Sequence, residues 1–210
     1  MKKVSETIAK QLLQIKAIKL QPANPFTWAS GWNSPIYCDN RKTLSYPEVR
    51  DYIKSGFVAL VNELYPQVDV IAGVATGAIA QGALVADALD KPFVYVRSSP
   101  KGHGMENLIE GDISAGKNVV VIEDLISTGG SSLKAVDALR KEGCQVLGMA
   151  AIFTYGFQAA VDNFVEKEVT LHTLSDYQTL IEVAVQSGYV SSDDVKTLSN
   201  WRNDPAHWGK

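Results

Sequence analysis

A short stretch in the middle of the chain combines residue types that could bind a sugar phosphate. In VVVIEDLISTGGSS, residues 119–132, an apolar run meets the adjacent carboxylates Glu123 and Asp124, followed by small hydroxyl and glycine residues. Small residues between a strand and a helix leave backbone N–H groups free to bind phosphate, and the helix dipole favours the anion. The carboxylates would repel that phosphate, so we expect them to accept hydrogen bonds from ribose hydroxyls, each worth about 1.5–3 kcal/mol. The stretch therefore predicts a site for a ribose 5′-phosphate.

Other nucleotide-binding motifs fit this sequence poorly. A P-loop requires GxxxxGK[ST], and neither this stretch nor GVATGAIAQG supplies its lysine. The dinucleotide fingerprint GxGxxG is absent from the chain. The remaining alternative is that Glu123 and Asp124 cap a strand and that STGG forms an ordinary turn.

A second polar stretch could bind another anion. RSSPKGHGMENLIEG, residues 97–111, places Arg97, Lys101 and His103 among glycines, with no acidic residue before Glu106. Cationic side chains on a glycine-hinged loop can close over a diphosphate and exclude water. Taken alone, however, the stretch is more typical of a solvated β-hairpin.

Two further stretches carry weaker signals. VATGAIA repeats the order of strand, small residues and helix, so the backbone N–H groups of Thr76 and Gly77 could meet an anion. Close packing of a helix on a strand would explain the same small residues. In PIYCDNRK, Tyr37 could stack on a planar heterocycle and Arg41 could pair with a carboxylate. An edge strand with a solvated arginine fits that stretch equally well.

Composition limits the class of protein. The 210 residues are 46% hydrophobic and 20% charged, as expected for a single globular domain over 1–210. The net charge of -3 argues against a general nucleic-acid binder. Cys38 and Cys144 follow no metal or redox spacing, which is typical of a reduced cytoplasmic protein. No apolar run suits a signal peptide or a membrane span, so we expect a cytoplasmic protein with no membrane partner.

Elements that could position these residues follow from the hydrophobic pattern. Apolar residues at helical spacing predict a helix in the first twenty residues, and residues 21–45 suggest irregular structure around a short strand. Ser45, Pro47 and Glu48 mark a helix start. Apolar runs then alternate with helical segments, in the order VDVIAGV, PFVYVR, NVVVIED and QVLGMAAIFTY. VTLHTLS predicts a further strand, and Ser175 marks another helix start.

This alternation predicts an α/β fold with a doubly wound, mostly parallel sheet. In such sheets, ligands bind beyond the carboxyl ends of the strands, where the candidate stretches lie. We assign residues 46–169 to the core of the single domain. Residues 1–45 and 170–210 are expected to pack together as a small accessory hood layer, and the tail SNWRNDPAHWGK shows no clear period.

The stretch EDLISTGGSS resembles the signature of type I phosphoribosyltransferases, which bind 5-phosphoribosyl 1-diphosphate (PRPP). FTWASGWNSPIYCDNR, GVATGAIA, YVRSSPKGHG and EDLISTGGSS occur in the order seen in orotate phosphoribosyltransferases and span most of residues 25–132. The resemblance implies transfer of phosphoribose from PRPP to orotate, giving orotidine 5′-monophosphate and diphosphate in pyrimidine biosynthesis.

The resemblance also implies roles for individual residues. PRPP would contact Thr76, Gly77, Arg97, Lys101, His103, Glu123, Asp124, Leu125, Ile126, Ser127, Thr128, Gly129, Gly130 and Ser131. Orotate would contact Tyr37, Cys38, Arg41 and Ser127. Lys101, His103 and Asp124 would be catalytic, with Mg²⁺ held mainly by PRPP rather than by direct protein ligands. The loop carrying Lys101 would reach into the neighbouring subunit's site, which implies a homodimer.

The chain departs from the enterobacterial pattern of that family. Ala29, Thr76 and Ser98 stand where lysines are common, and no arginine follows the last core strand near residues 154–156. Asn33 also stands where the version typical of Gram-positive bacteria often has lysine. A purine phosphoribosyltransferase, and a regulator that senses PRPP and binds nucleic acid, remain as alternatives.

Overall fold

The centre of the molecule is a six-stranded sheet covered by helices on both faces. The computed structural model describes residues 2–28, 30–99 and 108–209. Its strands are β1 Ile18–Leu20, β2 Phe26–Thr27, β3 Asn33–Ser34, β4 Ile36–Cys38, β5 Val70–Val74, β6 Phe93–Val96, β7 Ile109–Glu110, β8 Asn118–Ile126, β9 Gln145–Thr154 and β10 Leu171–Asp176. The α-helices are α1 Lys2–Gln14, α2 Pro47–Leu64, α3 Ile79–Ala88, α4 Gly130–Lys141, α5 Gln158–Glu166, α6 Tyr177–Gln186 and α7 Asp194–Asn203. A 3₁₀ helix spans Asn40–Ser45.

The sheet order is β10-β9-β8-β5-β6-β7, and only β7 runs antiparallel to its neighbour. Each face has its own core. Val120 and Ile122 face a core shared with α1, α2, α3, α6 and α7, whereas Val119 and Val121 face the core under α4 and α5. Burial on both faces explains the unbroken apolar runs. The predicted doubly wound α/β fold is confirmed.

The strand order places a topological switch point at the middle of the sheet. The chain leaves β5 through α3 towards β6, and it leaves β8 through α4 towards β9, on the opposite side. The two connecting helices pack against opposite faces. A crevice opens where such connections diverge, beyond the carboxyl ends of β5 and β8.

The two ends of the described chain meet on one face of the sheet. Helix α1 packs on α6 and β10, and Ser175 Oγ donates to Ser5 O at 3.0 Å. Trp201 of α7 is fully buried, and its Nε1 donates to Asn33 O at 3.2 Å. The terminal segments share the hydrophobic core of that face rather than forming a separate one.

Several local expectations differ from the structure. The helix predicted after Ser45 has Tyr46 at its N-cap without a side-chain bond, and Pro47 is its first residue. Asp176, not Ser175, caps α6 by accepting a hydrogen bond from Thr179 N. Residues 21–45 contain three short strands rather than one, and the pattern did not predict α5 or α7. Within the described ranges, no helix has the length and apolarity needed to span a bilayer.

Candidate functional site

A cavity of about 310 Å³ lies in the crevice between the ends of β5 and β8. Three separate parts of the chain line it: Cys38, Asp39, Arg41, Val74, Ala75, Thr76, Gly77, Glu123, Asp124, Leu125 and Ser131. The structure therefore brings together eight residues predicted from the sequence: Cys38, Arg41, Thr76, Gly77, Glu123, Asp124, Leu125 and Ser131. The cavity is polar and open, which suits a charged, water-soluble ligand.

The two adjacent carboxylates occupy different environments. Asp124 is half-buried at the cavity wall, whereas Glu123 is 4% exposed. Both oxygens of Glu123 already accept hydrogen bonds, Oε1 from Asp124 N at 2.8 Å and Oε2 from Ser132 Oγ at 2.6 Å. Both residues line the cavity, and their contact with the sugar stays a prediction. Glu123 is also tied to the start of α4 through Ser132.

Burial raises the pKa of Glu123 to about 8, and the neighbouring charge of Asp124 adds to the effect. The hydrogen bond from Ser132 Oγ favours the ionised form but does not offset the loss of water. A carboxyl group with this pKa carries a proton through much of the neutral range.

The turn from β8 to α4 has the form expected of an anion site. Gly129 adopts the left-handed conformation at φ 81°, and a Cβ there would lie 2.6 Å from Phe164 Cε2. Glycine is therefore required at this position. Helix α4 begins at the exposed Gly130, and Ser131 in its first turn lines the cavity, so backbone N–H groups at the positive end of the helix face the crevice.

Ile126 is placed differently from the neighbouring residues of the motif. Its side chain is fully buried in the core under α4 and α5. Its carbonyl oxygen accepts hydrogen bonds from Tyr155 N at 3.1 Å and from Thr154 Oγ1 at 3.4 Å. The side chain therefore lies in this core rather than in the crevice, and a contact of Ile126 with PRPP stays a prediction.

The loop after β5 passes directly beneath Asp124. Thr76 is exposed at the cavity, and the peptide bond between Ala75 and Thr76 is cis. A Cβ added at Gly77 would overlap the Asp124 carboxylate. Gly77 therefore allows the two loops to approach each other closely.

The N-terminal segment forms the third wall. Arg41 Nε donates to Asp39 Oδ1 at 2.7 Å, and this hydrogen bond lowers the pKa of Asp39. The Arg41 side chain remains 60% exposed and lines the cavity. Cys38 also lines the cavity, whereas the exposed ring of Tyr37 contacts Phe26 at a centroid distance of 5.7 Å and lies outside it.

A second cavity of about 470 Å³ adjoins the same turn. It is lined by Trp28, Ser30, Trp32, Ser127 and Thr128. The rings of Trp28 and Trp32 stack at 6.4 Å, and Trp28 also packs against Tyr155 and Trp201. The predicted residues Ser127 and Thr128 therefore face an aromatic, less polar space beside the first cavity.

The predicted cationic stretch is described only in part. Arg97 Nη1 donates to Glu110 Oε1 at 3.3 Å, and Arg97 N donates to Leu108 O at 2.8 Å. Arg97 lines neither cavity. Lys101 and His103 lie outside the described residues.

Sequence patterns missed residues that shape the site. Asp39 lines the cavity, Ser132 holds Glu123, and Asn40 Nδ2 donates to Asp124 O at 2.6 Å. Asp39 lies between two residues that were predicted, so its neighbours were a usable signal. Trp28 and Trp32 were visible as aromatic residues, but nothing in their spacing placed them beside residues 127–128.

Comparisons with known proteins agree with this geometry. Residues 49–187 match the family model described as "Phosphoribosyl transferase domain". The chain is 62% identical over 208 residues to orotate phosphoribosyltransferase of Bacteroides thetaiotaomicron, covering 99% of this chain and 98% of the other. It is 54% identical over 210 residues, covering 100% of both chains, to orotate phosphoribosyltransferase of Enterococcus faecalis.

Solved structures show the same similarity in three dimensions. Orotate phosphoribosyltransferase from Aeropyrum pernix matches with a TM-score of 0.76 at 28% identity, covering 88% of this chain and 99% of the other. UMP synthase of Leishmania donovani matches with a TM-score of 0.77 at 25% identity, covering 94% of this chain and 42% of the other.

Proposed function

This chain belongs to the orotate phosphoribosyltransferase family, and we propose that it transfers the 5-phosphoribosyl group from PRPP to orotate. The products would be orotidine 5′-monophosphate and diphosphate, which places the reaction in pyrimidine biosynthesis. The observation that carries the proposal is the cavity at the switch point, where the Asp124 carboxylate, the start of α4 and the loop at Gly77 line one crevice.

Different residues bind different parts of PRPP. The N–H groups at the start of α4 bind the 5′-phosphate, and the Asp124 carboxylate accepts hydrogen bonds from the ribose hydroxyls. Support for this division comes from the placement of Ser131 and Asp124 on one cavity wall. The diphosphate extends towards the exposed loop at Thr76 and Gly77, with Arg97, Lys101 and His103 as further contacts from the stretch that follows β6.

Loss of diphosphate leaves positive charge on the sugar ring, as in other glycosyl transfers. The Asp124 carboxylate lies at the wall where that charge develops and lowers its energy electrostatically. Orotate N1 can react as an anion, so no protein base is required. Catalysis then rests mainly on holding orotate and the sugar carbon in line.

The described carboxyl groups of this cavity do not form a metal site by themselves, so a divalent cation would be held mainly by PRPP. Three carboxyl groups line the cavity, but Asp39 is paired with Arg41 and Glu123 with Ser132. Within the described ranges, no group of three His, Cys, Asp or Glu side chains could hold a metal ion. Mg²⁺ commonly keeps several waters and binds substrate phosphate oxygens, so it would be held mainly by PRPP. The ion would neutralise charge on the departing diphosphate.

Two properties of the whole protein belong to the same proposal. A homodimer in which the stretch carrying Lys101 and His103 completes the neighbouring site would explain how those cations reach the diphosphate. A cytoplasmic location is supported by the two free cysteines, Cys38 and Cys144.

The acceptor is tested by a panel of bases. Purified protein is incubated with PRPP and Mg²⁺ together with orotate, hypoxanthine, xanthine or uracil, and the absorbance change is followed. Turnover with orotate alone is expected. Turnover with a purine alone would support a purine phosphoribosyltransferase instead. PRPP binding without turnover of any base would support a PRPP-sensing regulator.

A further inference from the structure

We propose that Asn40 is a positioning residue for this reaction, because its side-chain amide fixes the main chain at Asp124 and so sets the direction of the carboxylate that faces the sugar. The inference rests on the proposed ribose contact of Asp124. Asn40 is 1% exposed, and its Nδ2 donates to Asp124 O at 2.6 Å across 84 residues of sequence.

The end of β8 needs such support from outside the sheet. Strand β5 pairs with β8 only as far as Gly73 and Ile122, so the described residues 123–126 have no strand partner on that side. Buried backbone carbonyls that lack a hydrogen bond cost free energy. The Asn40 amide supplies a hydrogen bond to Asp124 O from a different part of the chain.

The orientation of the Asn40 amide is determined by both of its ends. Cys38 Sγ donates to Asn40 Oδ1 at 3.4 Å, while Nδ2 faces the Asp124 carbonyl. A flipped amide would place Oδ1 against another carbonyl oxygen, which is unfavourable. Burial raises the pKa of Cys38, so the thiol keeps the proton that it donates.

Behind Asn40, buried polar contacts continue to the other side of the cavity. Thr43 Oγ1 donates to Asn40 O at 2.6 Å, and Gln81 Nε2 donates to Thr43 Oγ1 at 3.4 Å. Thr43 is 0% exposed and Gln81 is 1% exposed. Gln81 lies on α3, which follows the loop containing Gly77. The three residues therefore connect the end of β8 to the helix behind the opposite loop.

This arrangement leaves Asp124 little freedom. Gly77 lies against its carboxylate, and the Asn40 amide holds its carbonyl. Loss of the amide would free the main chain and allow the carboxylate to turn away from the ribose. Binding of a ribose-containing ligand should weaken, whereas binding of diphosphate alone should not.

The test measures dissociation constants of PRPP and of inorganic diphosphate by calorimetry, with Mg²⁺ and without orotate. The variants are Asn40→Ala, Asn40→Asp and Asp124→Asn, with Ser175→Ala as a matched control for loss of a buried polar group far from the cavity. Ser175 is 1% exposed and bonds to Ser5. Melting temperatures are measured for every variant, so that binding is compared only where the protein is folded.

We expect Asn40→Ala to weaken PRPP binding about tenfold and to change diphosphate binding less than about twofold. Ser175→Ala should change neither. Asn40→Asp adds a readout that a purely structural role would not move. Its carboxyl group can donate to the Asp124 carbonyl only when protonated, so its affinity for PRPP relative to wild type should fall as pH rises. Asn40→Ala should show no such trend relative to wild type.

Three results would overturn the inference. One is unchanged PRPP affinity in Asn40→Ala, and another is an equal loss for PRPP and diphosphate. The third is an identical pH trend in the Asp and Ala variants. If Asp124→Asn weakens PRPP binding while Asn40→Ala does not, only the role of Asn40 is rejected. Unchanged PRPP affinity in Asp124→Asn would reject the ribose contact, and the role of Asn40 with it.

Discussion

The two sides of the crevice are built in different ways. One side, here called the motif side, comes from one contiguous segment, residues 123–131, in which a strand end, a left-handed glycine and a helix start follow one another. The described residues of the opposite wall, within 28–41, form short strands and the start of the 3₁₀ helix, and they are held by distant partners. Trp201 Nε1 bonds to Asn33 O, and Asn40 Nδ2 bonds to Asp124 O. One side is thus determined locally, and the other by tertiary packing.

This difference determines where substitutions should act. The motif side should be sensitive to changes in backbone shape at one or two glycines. The opposite wall should be sensitive to residues far away in sequence, since contacts with Trp28 reach Tyr155 and Trp201.

The largest expected effect is on the assembled wall. Trp201→Ala should lower the free energy of unfolding by about 3–5 kcal/mol, because the fully buried ring packs against Trp28, Tyr155, Phe157 and Tyr177. Chemical denaturation measures this loss. The half-buried Trp208 provides a control, and Trp208→Ala should cost about 1 kcal/mol. Equal losses in the two variants would contradict the view that α7 supports this wall.

Gly77→Ala should disturb Asp124 on the motif side without unfolding the protein. Its Cβ would overlap the Asp124 carboxylate and displace it, and a misplacement of this kind lowers kcat/KM by about 100-fold. Steady-state kinetics measures the change. In Gly56→Ala the new Cβ meets only the flexible end of Leu174 at 3.3 Å, so activity should stay close to wild type. An active Gly77→Ala enzyme would show that Asp124 need not be held there.

Glu123→Gln should change the pH dependence of stability. The pKa of Glu123 is raised from 4.5 to about 8, so between these values the folded protein keeps a proton that the unfolded chain releases. The stability of wild type therefore falls as pH rises through this window, and glutamine removes that loss. The melting temperature of Glu123→Gln relative to wild type should rise by several degrees between about pH 5 and 8.

Glu182→Gln is the matched control for this measurement. Glu182 is exposed and bonds to Gln178, so its replacement should shift the melting temperature little at any pH. A constant difference between Glu123→Gln and wild type across the pH range would show that Glu123 is ionised in the folded protein.

The smallest effect is expected at the surface of the assembled wall. Arg41→Ala should change the free energy of unfolding by less than about 1 kcal/mol, because its pair with Asp39 is exposed. The KM for orotate should rise about fivefold if the Arg41 guanidinium pairs with the carboxylate of orotate. Lys42→Ala removes a neighbouring cation that does not line the cavity and should leave this KM unchanged. Equal KM values for the two variants would remove Arg41 from the orotate site.

The hydrophobic pattern predicted the elements whose burial can be read from a short run of consecutive residues. The strands β5, β6, β8 and β9 were visible as apolar runs because most of their residues pack into the cores on the two faces of the sheet. Helix α5 was missed because Val161 and Val165 are exposed and blur its apolar stripe. Helix α7 buries only Leu198 and Trp201, too few residues to show a period.

The residues of the candidate site show the same difference between local and distant signals. Glu123, Asp124 and Ser131 were found from one motif, because a strand end followed by small residues has a local signature. The contact of Asn40 with Asp124 has no such signature, since 84 residues separate the two. The burial of Glu123 was also missed. This burial depends on Ser132 and on packing around the strand end, and neither can be read from two adjacent acidic residues in the sequence.

The packing of α1 has a consequence during synthesis on the ribosome. Its apolar residues Ile8 and Leu12 are fully buried against α6 and β10, which are translated about 160 residues later. At about 5–20 residues per second, the nascent chain exposes this stripe for roughly 10–30 s before its partners emerge. During that interval the stripe is a surface on which a chaperone can act, and a polar substitution there would cost the finished enzyme its packing while sparing the growing chain from aggregation.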